Sequence, residues 1–126
     1  MNKKIVLTAA ILLMLAIILG AFGAHGLKEK VSPARIATFE VGVRYQFYIG
    51  LVMLILGFNE EKLGFSLKPT FLLLFIGVLF FSVSIYFLAI QEILGASLKF
   101  LLPITPIGGL LMIVGLFVFI VKLMRK

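Results

Sequence analysis

Three long stretches of the chain carry no formal charge: Ile5 to Leu27 with His25 neutral, Pro69 to Gln91, and Phe100 to Val121. Each is long enough to cross a hydrocarbon core of ~30 Å, which takes about 20 residues of α-helix. A fourth apolar stretch, Tyr45 to Asn59, is too short alone. Ser32-Pro33 upstream of it is a helix-start signal, with Pro suited to the first helical position, so one helix is expected from Pro33 to about Phe58. Its first turns would lie at or outside the interface. The spans expected at 5–26, 33–58, 69–91 and 105–123 define an all-α, polytopic membrane protein, a single domain of four transmembrane helices in a compact bundle. An outer-membrane barrel is disfavoured, because its strands of about ten residues would alternate apolar and polar positions.

Composition removes most other classes. Of 126 residues 63% are hydrophobic and 13% charged, against about 25% charged in soluble domains. Twelve basic and five acidic residues cannot coat a water-soluble globule, and the lack of Cys excludes a disulfide scaffold. Asn2-Lys3-Lys4 followed by an apolar run ending Ala21-Phe22-Gly23-Ala24 has features of a secretory signal. The uncharged run exceeds the ~7 to 15 residues of a signal core and three further spans come after it, so this segment is expected to stay as the first span. With both termini cytoplasmic, Lys3, Lys4, Lys62, Lys68, Lys122, Arg125 and Lys126 lie inside, and Lys28, Lys30, Arg35, Arg44 and Lys99 outside. The net +7 then reads as topology and as contact with anionic lipid headgroups. Nucleic acid is a poor partner for basic residues placed on flanks and tails instead of in one patch.

Helices in a bilayer associate through close backbone approach and interhelical hydrogen bonds. Ala16, Gly20 and Ala24 recur every four residues on one face of the first span, a stripe suited to helix contact and to a homo-oligomer. Gly108 and Gly115 share a face of the fourth span, and Phe71, Phe75, Phe80, Phe81 and Phe87 on the third can fill grooves. Pro103-Ile104-Thr105-Pro106 cannot be regular helix interior, which makes Thr105 the expected N-cap and Pro106 the first residue of a helix running to about Leu123.

Few groups could do chemistry. Thr8, His25, Gln46, Ser82, Ser84, Tyr86 and Gln91 are the polar residues within the spans. One His without Cys supplies neither a nucleophile beside a base nor a zinc or haem ligand set, so no catalytic residue, metal or cofactor is expected. His25 precedes Gly26, which is placed to act as a C-cap. The imidazole would then bond last-turn carbonyls or headgroups, or serve as a pH-sensitive group at the surface. Glu40 and Arg44 are four apart with the acid first, the favourable order for a pair, and Tyr45, Gln46 and Tyr48 come next. Ionisable groups drawn to membrane depth mark functional sites, so His25, Glu40, Arg44, Gln46 and Tyr86 form the candidate ligand-binding set.

Gly20-Ala21-Phe22-Gly23-Ala24-His25-Gly26-Leu27-Lys28, Phe39 with Tyr45-Gln46, Phe81-Ser82 with Tyr86, and Pro103-Ile104-Thr105-Pro106-Ile107-Gly108-Gly109 extend over nearly the whole chain. Together they resemble the small bacterial membrane proteins grouped as domain of unknown function 423, of the YgdD type. The resemblance implies a four-helix protein of the bacterial cytoplasmic membrane and no established activity. The family pattern commonly has His three residues after the Gln of Tyr-Gln, where this chain has Ile49, so a role of His25 in a two-histidine site is not supported here.

The leading expectation is therefore a small, non-enzymatic integral membrane protein of unknown molecular activity that binds lipid or a membrane partner. The alternative is a minimal transporter or channel for a small ion or solute acting as an oligomer. That class needs a polar or charged group facing a cavity at mid-depth, and only Glu40, drawn inward, could serve.

Overall fold

The computed structural model describes residues 1–126. Asn2 opens the first helix, its Oδ1 accepting the Ile5 N–H at 3.2 Å. This helix, α1 (Lys3–Gly26), widens over its last turn, where the Leu27 N–H reaches back five residues to the Phe22 carbonyl at 3.2 Å. Positive φ occurs only at Gly64 and Gly95, so Gly26 is not the left-handed cap expected from the sequence. It is small for another reason: a Cβ there would lie 2.7 Å from the Phe22 ring. Ser32 caps α2 (Pro33–Phe58) by accepting the Arg35 N–H at 3.3 Å, and Pro33 sits in the first turn, where a missing N–H is harmless.

A one-turn helix, Glu60–Leu63, ends at Gly64 with φ 77° and leads to α3 (Lys68–Leu94). A second widened turn, Leu79–Val83, interrupts α3, and Gly95 with φ 68° terminates it. After a short turn at Lys99–Leu101 comes α4 (Ile104–Arg125).

The start of α4 differs from the sequence expectation. Pro103, at φ −73° and ψ −18°, is already helical, and α4 begins at Ile104 with no side-chain cap. Pro106 falls within the first turn, whose N–H groups have no helical partner in any case. Thr105 is thereby freed from capping, and its hydroxyl lies 2.6 Å from Ser84 Oγ on α3.

The four helices form a compact bundle in which α2 and α3 are central. α1 packs on α2, α3 packs on α4, and no substantial contact joins α1 to α4. One apolar cluster, including Ile5, Ala9, Met53, Leu74 and Met112, fills the end near the termini; a smaller one of Leu27, Val31, Phe39, Tyr86 and Ala89 fills the other. Gly108 and Gly115 share the α3 contact, as their spacing predicts. A Cβ on Gly108 would run into the Phe81 backbone nitrogen and lie 2.6 Å from the Gly77 carbonyl oxygen. Of the phenylalanines, Phe71 is buried, whereas Phe80 and Phe87 point outward.

The small-residue stripe of α1 is used inside the chain. Ala16 is buried, and a Cβ on Gly20 would meet Val43 of α2 at 3.4 Å; only Ala24 stays on the outer surface.

Both termini and the connection between α2 and α3 lie at one end. Asn2 N–H donates to the Gly57 carbonyl at 2.8 Å, Lys122 Nζ to the Ser66 carbonyl at 3.1 Å, and Lys126 Nζ to the Lys62 carbonyl at 2.9 Å.

Candidate functional site

Gln46 sits midway along α2 and is 5% exposed. An amide buried at this depth needs protein partners, because lipid offers none. Its Nε2 donates to the Leu12 carbonyl of α1 at 2.8 Å, and its Oε1 accepts the Tyr86 hydroxyl of α3 at 2.6 Å. A helical carbonyl has a second lone pair, so Leu12 accepts this bond while keeping its own turn.

Gly42, one turn before Gln46, lets the Tyr86 ring approach, since a Cβ there would lie 2.7 Å from Tyr86 Cε1. The Phe39 ring packs against Tyr86 with centroids 4.8 Å apart. In the widened turn of α3, Ser82 Oγ donates to the Gly42 carbonyl at 2.8 Å, and Ser84, just past that turn, donates its Oγ proton to the Phe81 carbonyl at 3.0 Å. With Ser84 donating there, Thr105 donates to Ser84 and brings α4 into the layer. Interhelical bonds of this kind contribute about 0.6 kcal/mol each on average and up to about 2 kcal/mol. Thr70 Oγ1 is the one buried side-chain oxygen left without a partner.

The candidate set thus divides. Gln46 and Tyr86 meet and satisfy each other between the two apolar clusters. Glu40, Arg44 and His25 are exposed and join neither them nor one another. The helical period explains the split: Phe39, Gly42, Gln46 and Ile49 are among the buried positions of α2, whereas 40 and 44 fall on its outer face. Glu40 is not drawn inward; it lines an open groove with Ala24, Lys28 and Ile36. His25 bonds none of the last-turn carbonyls expected to hold it. Ile49, where the family pattern has a histidine, is buried in the larger apolar cluster.

Two further contributors lie outside the candidate set. Arg35 Nη1 donates to the Leu88 carbonyl at 3.0 Å and its Nη2 lies 3.5 Å from Glu92, tying the start of α2 to the end of α3. The signal for this pair in the sequence is that Arg35 and Glu92 flank spans two and three at the same interface. Thr105 is masked there by its apparent suitability as a cap.

Four long apolar helices around a closed polar layer define a multi-pass helical membrane protein. The family described as Protein of unknown function (DUF423) matches residues 19–109, and the chain belongs to it. It is 37% identical over 123 residues to a UPF0382 membrane protein of Staphylococcus epidermidis, covering 98% of this chain and 97% of that one. A UPF0382 membrane protein of Staphylococcus haemolyticus is 39% identical over 120 residues, covering 95% and 94%. The UPF0382 membrane protein YwdK of Bacillus subtilis is 34% identical over 127 residues, covering 98% of each chain. No solved structure matches.

Proposed function

We propose that this protein is a non-enzymatic bundle of the bacterial cytoplasmic membrane that acts by contact, binding lipid through its outer surface and interfacial ends. The observation that carries this reading is the division of polar groups. Gln46, Ser82, Ser84 and Tyr86 are committed to neighbouring helices, whereas Glu40, Arg44, Lys4 and Lys68 are left on the outside. A carrier needs its polar group to face a cavity at mid-depth, and Glu40 faces outward. A cytoplasmic location of both termini is supported by the charge balance: seven basic residues share their end with Glu60 and Glu61, against five with Glu29, Glu40 and Glu92 at the other.

Native mass spectrometry from mild detergent is expected to show phospholipid retained on the intact chain, and reconstituted vesicles are expected to leak ions no faster than protein-free ones. A chain that keeps no lipid, or a flux abolished by Glu40→Gln, would overturn the reading; a retained protein would do so in favour of a membrane partner. The same spectra count subunits and so test self-association, for which the stripe leaves only Ala24 on the outer surface.

A further inference from the structure

At the end that carries the termini, a cavity of about 360 Å³ opens between the first turns of α1 and α3. Lys4, Lys68 and Ser66 line its polar part, and Ile5, Phe71 and Leu72 its apolar part. The one acid in the lining has its oxygens turned to neutral donors, Glu60 Oε1 accepting Asn2 Nδ2 at 3.0 Å and Oε2 the Leu67 N–H at 2.9 Å, and its single negative charge is outweighed by the two lysines. The ion pairs of the chain are Met1–Glu61 and Arg35–Glu92, so neither lysine is paired. Lys122 and Lys126 at the same end are tied to carbonyls, and of the basic side chains left free there Lys4 and Lys68 are the two that line this cavity. Ser66 Oγ accepts the Lys68 N–H at 3.2 Å and keeps its own proton to donate.

Resting on the lipid-binding reading above, we propose that this cavity binds the headgroup of an anionic phospholipid. The phosphate lies between the Lys4 and Lys68 ammonium groups and accepts the Ser66 hydroxyl, and the glycerol and first acyl carbons lie on Ile5, Phe71 and Leu72. Two unpaired cations with a hydroxyl donor match a phosphate. The apolar half of the lining matches the carbon chain attached to a lipid phosphate and has no use for a free ion.

The full chain in mild detergent is titrated with phosphatidylglycerol, phosphatidylcholine and inorganic phosphate and followed by native mass spectrometry. Phosphatidylglycerol is expected to bind most tightly, and Lys4→Gln with Lys68→Gln to weaken it by roughly thirtyfold, the scale of two basic residues at an anionic surface. Lys4→Arg with Lys68→Arg should retain binding, and Lys28→Gln with Lys99→Gln at the opposite end should leave it unchanged. Equal loss in the two glutamine pairs, or no preference over phosphatidylcholine, overturns the site while leaving lipid binding intact. Inorganic phosphate bound as tightly as phosphatidylglycerol overturns the lipid assignment. A wild-type chain that takes up no lipid overturns both.

Discussion

Gly108→Ala is expected to lower the thermal midpoint of the protein in detergent by roughly 10 °C or more, whereas Gly109→Ala changes it little. The two glycines are adjacent, and a methyl group on either adds the same helix propensity. At Gly108 the new Cβ would meet the Phe81 backbone nitrogen and the Gly77 carbonyl, 2.6 Å away. Neither obstacle can rotate aside as a side chain would, so α4 has to back away from α3 along their shared contact. Overpacking of a well-filled contact typically costs about 1 to 3 kcal/mol, and a backbone obstacle puts Gly108 at the upper end. At Gly109 the nearest atom is Phe81 Cδ1 at 3.7 Å, an ordinary contact. Equal effects of the two changes would mean that α3 and α4 do not pack through Gly108.

The second large effect is expected in the polar layer. Tyr86→Phe leaves Gln46 Oε1 buried without a donor, and Gln46→Leu removes both of its bonds while stranding the Tyr86 hydroxyl. An unsatisfied buried group costs about 1 to 3 kcal/mol, so each single change should be clearly destabilising. The double variant leaves nothing stranded between the two positions. Its loss is expected to fall short of the sum of the single losses by about 1 kcal/mol, measured by unfolding in detergent with all four combinations. Additive losses would show that the two side chains do not bond.

Much of the architecture is legible in the sequence, because the bilayer imposes a simple demand: long stretches without charge. The uncharged runs mark three of the helices, and Ser32-Pro33 marks the start of the other. Gly108 and Gly115 are readable as a contact face because seven residues are close to two helical turns.

Features that depend on partners remote in the chain are not legible in this way. Gly77 matters only because Gly108 and Met112 of α4 lie against it, and nothing near residue 77 says so. Thr105 beside two prolines has a good local reason to cap a helix, yet the pull of Ser84 and the helical backbone of Pro103 place it one residue inside. The widened turns at Phe22–Gly26 and Leu79–Val83 have no local signature either.

The site is legible in part. Gln46 and Tyr86 stand out as polar residues in apolar spans, and both are buried. Glu40 and Arg44 stand out as an acid–base pair, but a pair on the outer face of α2 gains only a few tenths of a kcal/mol, too little to hold two long side chains together. The cavity at Lys4 and Lys68 joins residues far apart in the chain and exists only once the helices have packed.

The proposed surface role rests on a polar layer closed to water, and that closure can be measured. The natural chain has no cysteine, which allows single cysteines to report directly. Ser82→Cys and Ser84→Cys, near-isosteric changes within the layer, should resist a membrane-impermeant thiol reagent in intact vesicles and stay unlabelled until the protein is unfolded. Lys99→Cys and Lys62→Cys at the two ends should label once the reagent is present on the matching side. Labelling of position 82 or 84 in the folded protein at the rate of position 99 would reveal a water path through the layer and would contradict a closed bundle.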